Sequence, residues 1–164
     1  MRWWYLVPIH KVVRVDCRAV GAGLMAGERV RSAANPHPEW WPFRNQLVIT
    51  LAAAHLVSRA GTSILIGTVS TDGRRHGDGT VEFVRALNRL LGLQEGGIQL
   101  HAPAIGMSSA QLVQRSKIPP ALLFATHSCH VSNDACGKCP GCVKHTRVTG
   151  RLERRAIGGA PWSA

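Results

Sequence analysis

The sequence predicts an α/β fold in which a parallel sheet is flanked by helices and followed by a metal-binding knuckle. Two observations predict it. Short runs rich in valine and isoleucine alternate with longer helical runs, which is the order expected for parallel strands joined by crossovers. Four cysteines then cluster in the last quarter of the 164 residues, where two overlapping C-x-x-C steps follow a fourth thiol.

Three short runs are predicted strands because they are apolar or alternating and rich in β-branched residues. The predicted strands are Ile9–Asp16, Ser63–Val69 and Ile98–His101. The second run is almost wholly apolar, as is typical of an interior parallel strand. Ligands of parallel sheets bind beyond the carboxyl ends of the strands. We therefore expect a site in the loops Ser70–Gly79 and Ala102–Met107.

Three further runs are predicted helices: Asn45–Ala60, Thr80–Leu91 and Ser108–Ser116. The first is apolar on most faces up to Val57, so we expect it to be largely buried. The second has a single apolar face, and the third begins at a serine that can cap it.

The charge is strongly positive: 20 lysine and arginine residues stand against 9 aspartate and glutamate residues, a formal net charge of +11. Such a charge attracts RNA, DNA or a polyphosphate nucleotide, or else it marks a solvated arginine-rich face. No apolar run reaches the roughly 18–20 residues of a membrane span, and the first five residues are too few and too aromatic for a secretory signal. We therefore expect a cytoplasmic protein without a membrane partner.

The cysteine cluster comprises Cys129, Cys136, Cys139 and Cys142. Thiolates at this spacing can enclose one tetrahedral zinc ion and leave no open coordination position. Such a zinc ion is structural and does not activate water. Three nearby histidines could each replace a cysteine or act as a base, but with four thiols present we favour supporting or surface roles for them. They are His127, His130 and His145.

Three of the nine acidic residues fall within eleven positions that start in the loop after the second predicted strand: Asp72, Asp78 and Glu82. Carboxylates there could hold magnesium, accept hydrogen bonds from ring N–H groups or transfer protons. Alternatively, Asp78 caps the helix that begins near Thr80, and Glu82 favours its positive end.

A second group of polar residues precedes the first predicted helix. Arg44 could bind a phosphate or a carboxylate near helix amides that also favour anions. Alternatively, Asn45 is an ordinary N-cap and Arg44 a solvated charge.

Four blocks, in order, make the chain resemble the 7-cyano-7-deazaguanine synthase family from about Pro36 to about Arg147. The blocks are Pro42-Phe43-Arg44-Asn45 before an alanine-rich helix; Gly67, Asp72 and Asp78 six apart, then Glu82-Phe83; Ala102-Pro103 before a short helix; and Thr126-x-Ser128-Cys129 with Cys136-Gly137-x-Cys139-x-x-Cys142. Each block alone is modest, but their order and the cysteine spacing make the resemblance specific.

The resemblance implies a Rossmann-like fold of the ATP pyrophosphatase-like, adenine-nucleotide α-hydrolase group. It implies an ATP- and Mg²⁺-dependent ligase of queuosine-precursor biosynthesis that converts 7-carboxy-7-deazaguanine and ammonia to the nitrile through adenylated intermediates. It also implies a structural zinc ion on the four cysteines. Asp72 and Asp78 would be catalytic residues of the pocket, and Arg44, Asn45 and Glu82 would bind substrate.

The chain departs from the family pattern at several positions. The S-G-G-x-D-S loop that binds ATP phosphates in the family does not occur in it, and we expect the fold to lack its first βαβ portion. The family's glycine-tyrosine-proline between the two aspartates is Arg75-His76-Gly77 here, and the cysteine that follows the second aspartate is Gly79. We therefore expect a truncated or diverged synthase, with the nucleotide loop supplied by a second copy or another chain.

We expect residues 1–125 to form the incomplete Rossmann-like domain, residues 126–150 the zinc knuckle and residues 151–164 a disordered basic tail. Two alternatives stay open. One is a non-catalytic zinc module that binds RNA or a protein partner, and the other is a relative that activates a different carboxylate.

Overall fold

The computed structural model describes residues 11–20, 23–24, 37, 39 and 41–157. Within these residues, five α-helices and two strands follow one another along the chain. They are α1 (Arg44–Val57), β1 (Ser63–Leu65), α2 (Val81–Gly92), β2 (Gln99–His101), α3 (Ser109–Ser116), α4 (Pro120–Phe124) and α5 (Pro140–Ile157). The α/β prediction is confirmed.

The two strands pair in parallel, with Ile64 opposite Leu100. Backbone hydrogen bonds continue past the strand ends, because the Ile66 N–H donates to the His101 carbonyl at 2.9 Å. Helix α2 connects the strands, as parallel pairing requires. The loops after β1 and β2 therefore leave the same edge of the sheet, and the Ser70 N–H joins them by donating to the Met107 carbonyl at 2.9 Å.

The core lies between the sheet and the first two helices. Its buried members come from α1, α2 and the β2 segment: Ile49, Ala53, Leu87, Leu91, Ile98 and Leu100. Helix α2 begins at Thr80, whose hydroxyl accepts from the Phe83 N–H at 3.2 Å. This cap fixes where the helix starts and hence where the preceding loop must end.

Helix α1 is less buried than its sequence predicts. Only Ile49 and Ala53 of this helix are buried, while Val48 is 60% exposed. The described sheet covers one face of the helix, so apolar residues on the other faces stay at the surface. Leu65 in β1 is also uncovered and 72% exposed.

The predicted strand Ile9–Asp16 is wrong for the residues that the structure describes, 11–16, which form no regular element. Val12, Val13 and Val15 are each about half exposed. An alternating pattern becomes a strand only beside another strand that completes its hydrogen bonds, and the described pairing is confined to β1 and β2. Residues 9 and 10 lie outside the described part.

The C-terminal helices carry the cysteine cluster. Ser108 caps α3 as predicted, in a capping box with Gln111. Helix α5 starts inside the cluster and runs to Ile157, which corrects the predicted disordered tail for residues 151–157. Arginine, glutamate and alanine there are good helix formers and continue the helix. Residues 158–164 lie outside the described part, and no described helix is long and apolar enough to cross a membrane.

Candidate active site and metal centre

A cavity of about 560 Å³ opens where the loops leave the carboxyl ends of the strands. Its walls are the start of α1, the loop after β1, the start of α3 and one side of α5. This is the place where parallel sheets bind ligands. Four of the five predicted pocket residues line it: Arg44, Asn45, Asp72 and Asp78.

Glu82 is the fifth predicted pocket residue and lies elsewhere. It is exposed in the first turn of α2 and is not among the residues that line the cavity. A carboxylate in that turn favours the positive end of the helix. Its predicted substrate contact stays a prediction.

Asp72 fastens the loop after β1 to the helix of the cysteine cluster. Its Oδ2 accepts from the Val69 N–H at 3.1 Å, which closes a tight turn. Its Oδ1 accepts from Lys144 Nζ of α5 at 2.7 Å. Both oxygens are therefore engaged, and the side chain sets the position of the cavity wall.

Asp78 fastens the same loop to the start of α1. Its Oδ2 accepts from the Asn45 N–H at 3.3 Å, and its carbonyl accepts from Asn45 Nδ2 at 2.9 Å. Phe43 is the N-cap of α1, and its side chain accepts no hydrogen bond from the helix. Asp78, which is 33 residues from Asn45, accepts the hydrogen bond that a capping side chain would accept. Both expected caps are therefore corrected: Asp78 serves α1 and not α2, and Asn45 lies inside the helix.

A buried acid that sequence reasoning missed completes the cavity wall. Glu39 is only 5% exposed, and its Oε1 lies 2.6 Å from Arg75 Nη2 and 3.6 Å from His76 Nε2. A lone glutamate among prolines and tryptophans gives no sequence signal. Arg75 and His76 stood out only as departures from the family motif, and the structure places them beside this acid.

The electrostatics of this group favour an ionised Glu39. Burial raises the pKa of Glu39, but a hydrogen bond from its own backbone N–H and the charge of Arg75 outweigh burial, so the net shift is downward. Burial lowers the pKa of His76, against the opposing pull of Glu39 and Asp78. The neutral imidazole is therefore favoured.

The cavity also concentrates polar atoms that lack hydrogen-bond partners. Among the described residues, five buried side-chain polar atoms have none, and four of them belong to residues that line this cavity. These four are Glu39 Oε2, Thr68 Oγ1, Thr71 Oγ1 and His130 Nδ1. Because buried polar groups are nearly always paired, this concentration marks a place for a polar ligand.

The four cysteines form a single group whose Sγ atoms all lie within 4.8 Å of one another. Cys136 and Cys142 Sγ are 3.9 Å apart, and Cys139 and Cys129 Sγ are 4.0 Å apart. A tetrahedral zinc with Zn–S bonds of about 2.3 Å requires sulfur separations of about 3.8 Å. The residues therefore fit a four-thiolate zinc site.

Backbone amides prepare the cluster for negative charge. Cys139 Sγ accepts from the N–H groups of His130 and Cys142, each at 3.4 Å, and Cys136 Sγ accepts from the Cys139 N–H at 3.4 Å. Hydrogen bonds from backbone N–H groups lower the pKa of the Cys129 thiol to about 5, and the largest contribution comes from the Val131 N–H. Burial raises the pKa of Cys142 to about 11, so metal binding must displace a proton there.

Gly141 allows the cluster to close. A Cβ at this buried position would overlap the Ser128 carbonyl oxygen and contact the His130 ring. Only glycine lets the first turn of α5 approach the segment that carries Cys129.

None of the three nearby histidines belongs to the sulfur group. His127 Nε2 lies 3.0 Å from the Ser132 carbonyl oxygen, and His145 Nδ1 lies 3.4 Å from Ser128 Oγ. His130 lines the cavity beside the cluster. The metal centre and the cavity therefore share a wall, which consists of His130 and the first turns of α5.

Comparison with known proteins agrees with this arrangement. Residues 10–151 match the family described as "Queuosine biosynthesis protein QueC". Proteins named 7-cyano-7-deazaguanine synthase are similar. The one from Anaeromyxobacter sp. (strain Fw109-5) is 27% identical over 151 residues, which cover 82% of this chain and 65% of that protein.

Two further relatives carry the same name. The protein from Campylobacter concisus (strain 13826) is 29% identical over 74% of this chain and 56% of its own length. The protein from Pseudomonas aeruginosa (strain LESB58) is 27% identical over 81% of this chain and 65% of its own length. The chain thus spans less than two thirds of each of these relatives. Because the family match extends over most of the 164 residues, the chain belongs to the QueC family of queuosine biosynthesis proteins.

Proposed function

We propose that this chain forms the base-binding part of an ATP-dependent synthase that converts 7-carboxy-7-deazaguanine and ammonia to 7-cyano-7-deazaguanine. The observation that carries the proposal is the cavity at the strand ends, where Arg44, Asn45, Asp72 and Asp78 meet beside the cysteine cluster. The names of the curated relatives support the same chemistry.

The charges of the cavity suit an anionic ligand. Four basic side chains line it, against three acidic ones: Arg44, Arg75, Lys144 and Arg147 against Glu39, Asp72 and Asp78. Two of the acids are already bound to Lys144 and Arg75. The guanidinium groups of Arg44 and Arg147 can bind the 7-carboxylate of the base or a phosphate of ATP.

Asp72 and Asp78 act in this proposal as positioning residues. Each carboxylate already accepts hydrogen bonds that fix a cavity wall. Their task is to hold Asn45 and Lys144, and with them α1 and α5, at the distance that the base requires.

Zinc on the four cysteines would have no open coordination position, so it stabilises the wall and takes no part in bond making. ATP with Mg²⁺ would adenylate the substrate carboxylate and release pyrophosphate, and ammonia would displace AMP to give the amide. A second ATP would adenylate the amide oxygen, which would leave as part of AMP to give the nitrile. The 164 residues contain no S-G-G-x-D-S segment. We propose that the phosphate-binding loop comes from outside these residues, on another polypeptide segment. The reaction takes place in the cytoplasm.

The experiment is a pyrophosphate-release assay on the full-length, zinc-loaded protein. It contains 7-carboxy-7-deazaguanine, ATP, Mg²⁺ and ammonium, and titration of ATP establishes binding separately. We expect release that requires both the base and ATP, and that is strongly reduced in Arg44→Met. No release from protein that binds ATP would contradict the proposal. A panel of other carboxylates tests whether Arg75-His76-Gly77 has changed the substrate.

RNA binding is a second candidate function, and the net charge of +11 favours it. It predicts an affinity for RNA that falls steeply as the salt concentration rises, because phosphate contacts release counterions. No measurable binding at low salt would eliminate this candidate.

A further inference from the structure

Glu39 is the buried group in the cavity wall for which neither the fold nor the proposed chemistry yet accounts. Its side chain is 6% exposed, and its Oε1 lies 2.6 Å from Arg75 Nη2 and 3.6 Å from His76 Nε2. Oε2 has no hydrogen-bond partner within the described residues. Each carboxylate oxygen can accept about two hydrogen bonds, so the acceptor positions of Oε2 are unused.

The free oxygen requires a donor that enters the cavity. An unpaired carboxylate oxygen away from water is costly, and rotation about the terminal torsion of glutamate is soft. A small rotation can therefore present Oε2 to a ligand while Arg75 follows Oε1. The carboxylate is ionised, as the downward pKa shift of Glu39 indicates, so it accepts hydrogen bonds and repels anions.

An ionised carboxylate that accepts hydrogen bonds favours the end of a deazapurine ligand that carries hydrogen-bond donors. The 7-carboxylate and phosphates are anionic and belong near Arg44 or Arg147, away from Glu39. The opposite edge of a guanine-like ring carries a ring N–H beside a 2-amino group, and both donors point in the same direction. Adenine has an acceptor nitrogen beside its amino group, so it would place a lone pair against the carboxylate.

We propose that Glu39 is a specificity-determining residue that accepts hydrogen bonds from the ring N–H and 2-amino group of a guanine-like base. This inference rests on the proposed function, because it assigns the orientation of the base in the same cavity.

The test compares two ligands, 7-carboxy-7-deazaguanine and its analogue without the 2-amino group, by calorimetric titration of the full-length, zinc-loaded protein. A hydrogen bond to a charged group contributes enough for a preference of about 10- to 100-fold for the amino ligand. We expect Glu39→Gln to reduce this preference to a few-fold. Arg75→Gln breaks the same ion pair but keeps the carboxylate, so it should retain most of the preference.

Each outcome separates the two proposals. Equal affinity of the unsubstituted protein for both ligands overturns the role of Glu39 and leaves the proposed function standing, whether or not the variants fold. Equal loss of preference in both variants assigns Glu39 to the ion pair alone and overturns its recognition role. Failure of the unsubstituted protein to bind either ligand overturns the proposed function, and this inference with it.

Discussion

Lys144 Nζ lies 2.7 Å from Asp72 Oδ1, so one ion pair joins the helix of the cysteine cluster to the loop at the carboxyl end of β1. The two residues are 72 positions apart. Lys144 lies two residues after Cys142, so a metal ion held by Cys142 would also hold the turn of α5 that carries this lysine. This ion pair therefore connects the helix of the cysteine cluster directly to the cavity wall.

Substitution Lys144→Met should weaken this link with little loss of stability. The lysine side chain is 48% exposed, and a partly exposed pair of this kind contributes about 0.2–1 kcal/mol. We expect a double-mutant cycle with Asp72→Asn, measured by urea unfolding, to give a coupling energy in that range that falls with added salt. Substitution of the exposed Lys138 by methionine is the matched control. Additive effects of the two substitutions would show that the pair contributes nothing.

Substitution Cys139→Ser should release zinc and lower the free energy of unfolding. Cys139 is buried, and its Sγ accepts two backbone hydrogen bonds at the centre of the cluster. Metal binding is coupled to folding, so loss of a ligand both weakens zinc binding and lowers the free energy of unfolding. Elemental analysis and urea unfolding measure the two effects. Cys17→Ser, outside the cluster, should keep one zinc ion per chain. Full zinc occupancy in Cys139→Ser would refute this ligand set.

Substitution Gly141→Ala should separate the start of α5 from the segment that carries Cys129. The added Cβ overlaps the Ser128 carbonyl oxygen. This oxygen belongs to the backbone, so it cannot move aside as easily as the end of a flexible side chain. We expect a loss of about 2–4 kcal/mol in the free energy of unfolding and weaker zinc binding. Gly92→Ala is the control, since nothing lies within 4 Å of its Cβ position. Equal stability of the two variants would contradict the close approach.

The ion pair of Glu39 predicts that the stability of the fold depends on pH. Because the folded-state pKa of Glu39 is depressed below 4.5, its stabilising effect is present above that pH and disappears as the pH falls through the folded-state pKa. The difference in thermal midpoint between the protein and Glu39→Gln should therefore shrink between about pH 6 and pH 3. Scans of both proteins in one buffer series measure it. A difference that stays constant over this range would show that ionised Glu39 does not stabilise the fold.

The local elements were predictable because their signals are local. The apolar face of α2, the serine cap of α3 and the spacing of the four cysteines each depend on residues a few positions apart. The cavity beside the loop after β1 lies where the sequence predicts a site, because the carboxyl ends of parallel strands bind ligands.

The long-range contacts of the site could not be predicted. Asp78 caps a helix that begins 34 residues before it, and Glu39 pairs with Arg75, which is 36 residues further along the chain. No pattern along the chain encodes these pairs, because they depend on how the elements pack. The predicted first strand and the largely buried α1 were wrong for a related reason, since both need neighbours that the described residues do not supply.

Both the proposed function and the role of Glu39 require that the base binds in the cavity between α1, the loop after β1 and α5. The most direct measurement is a crystal structure of the zinc-loaded, full-length protein with 7-carboxy-7-deazaguanine. We predict density for the base in this cavity, with its carboxylate near Arg44 or Arg147 and its amino edge towards Glu39. A base bound elsewhere, or an empty cavity at a base concentration that saturates the protein in solution, would contradict the account.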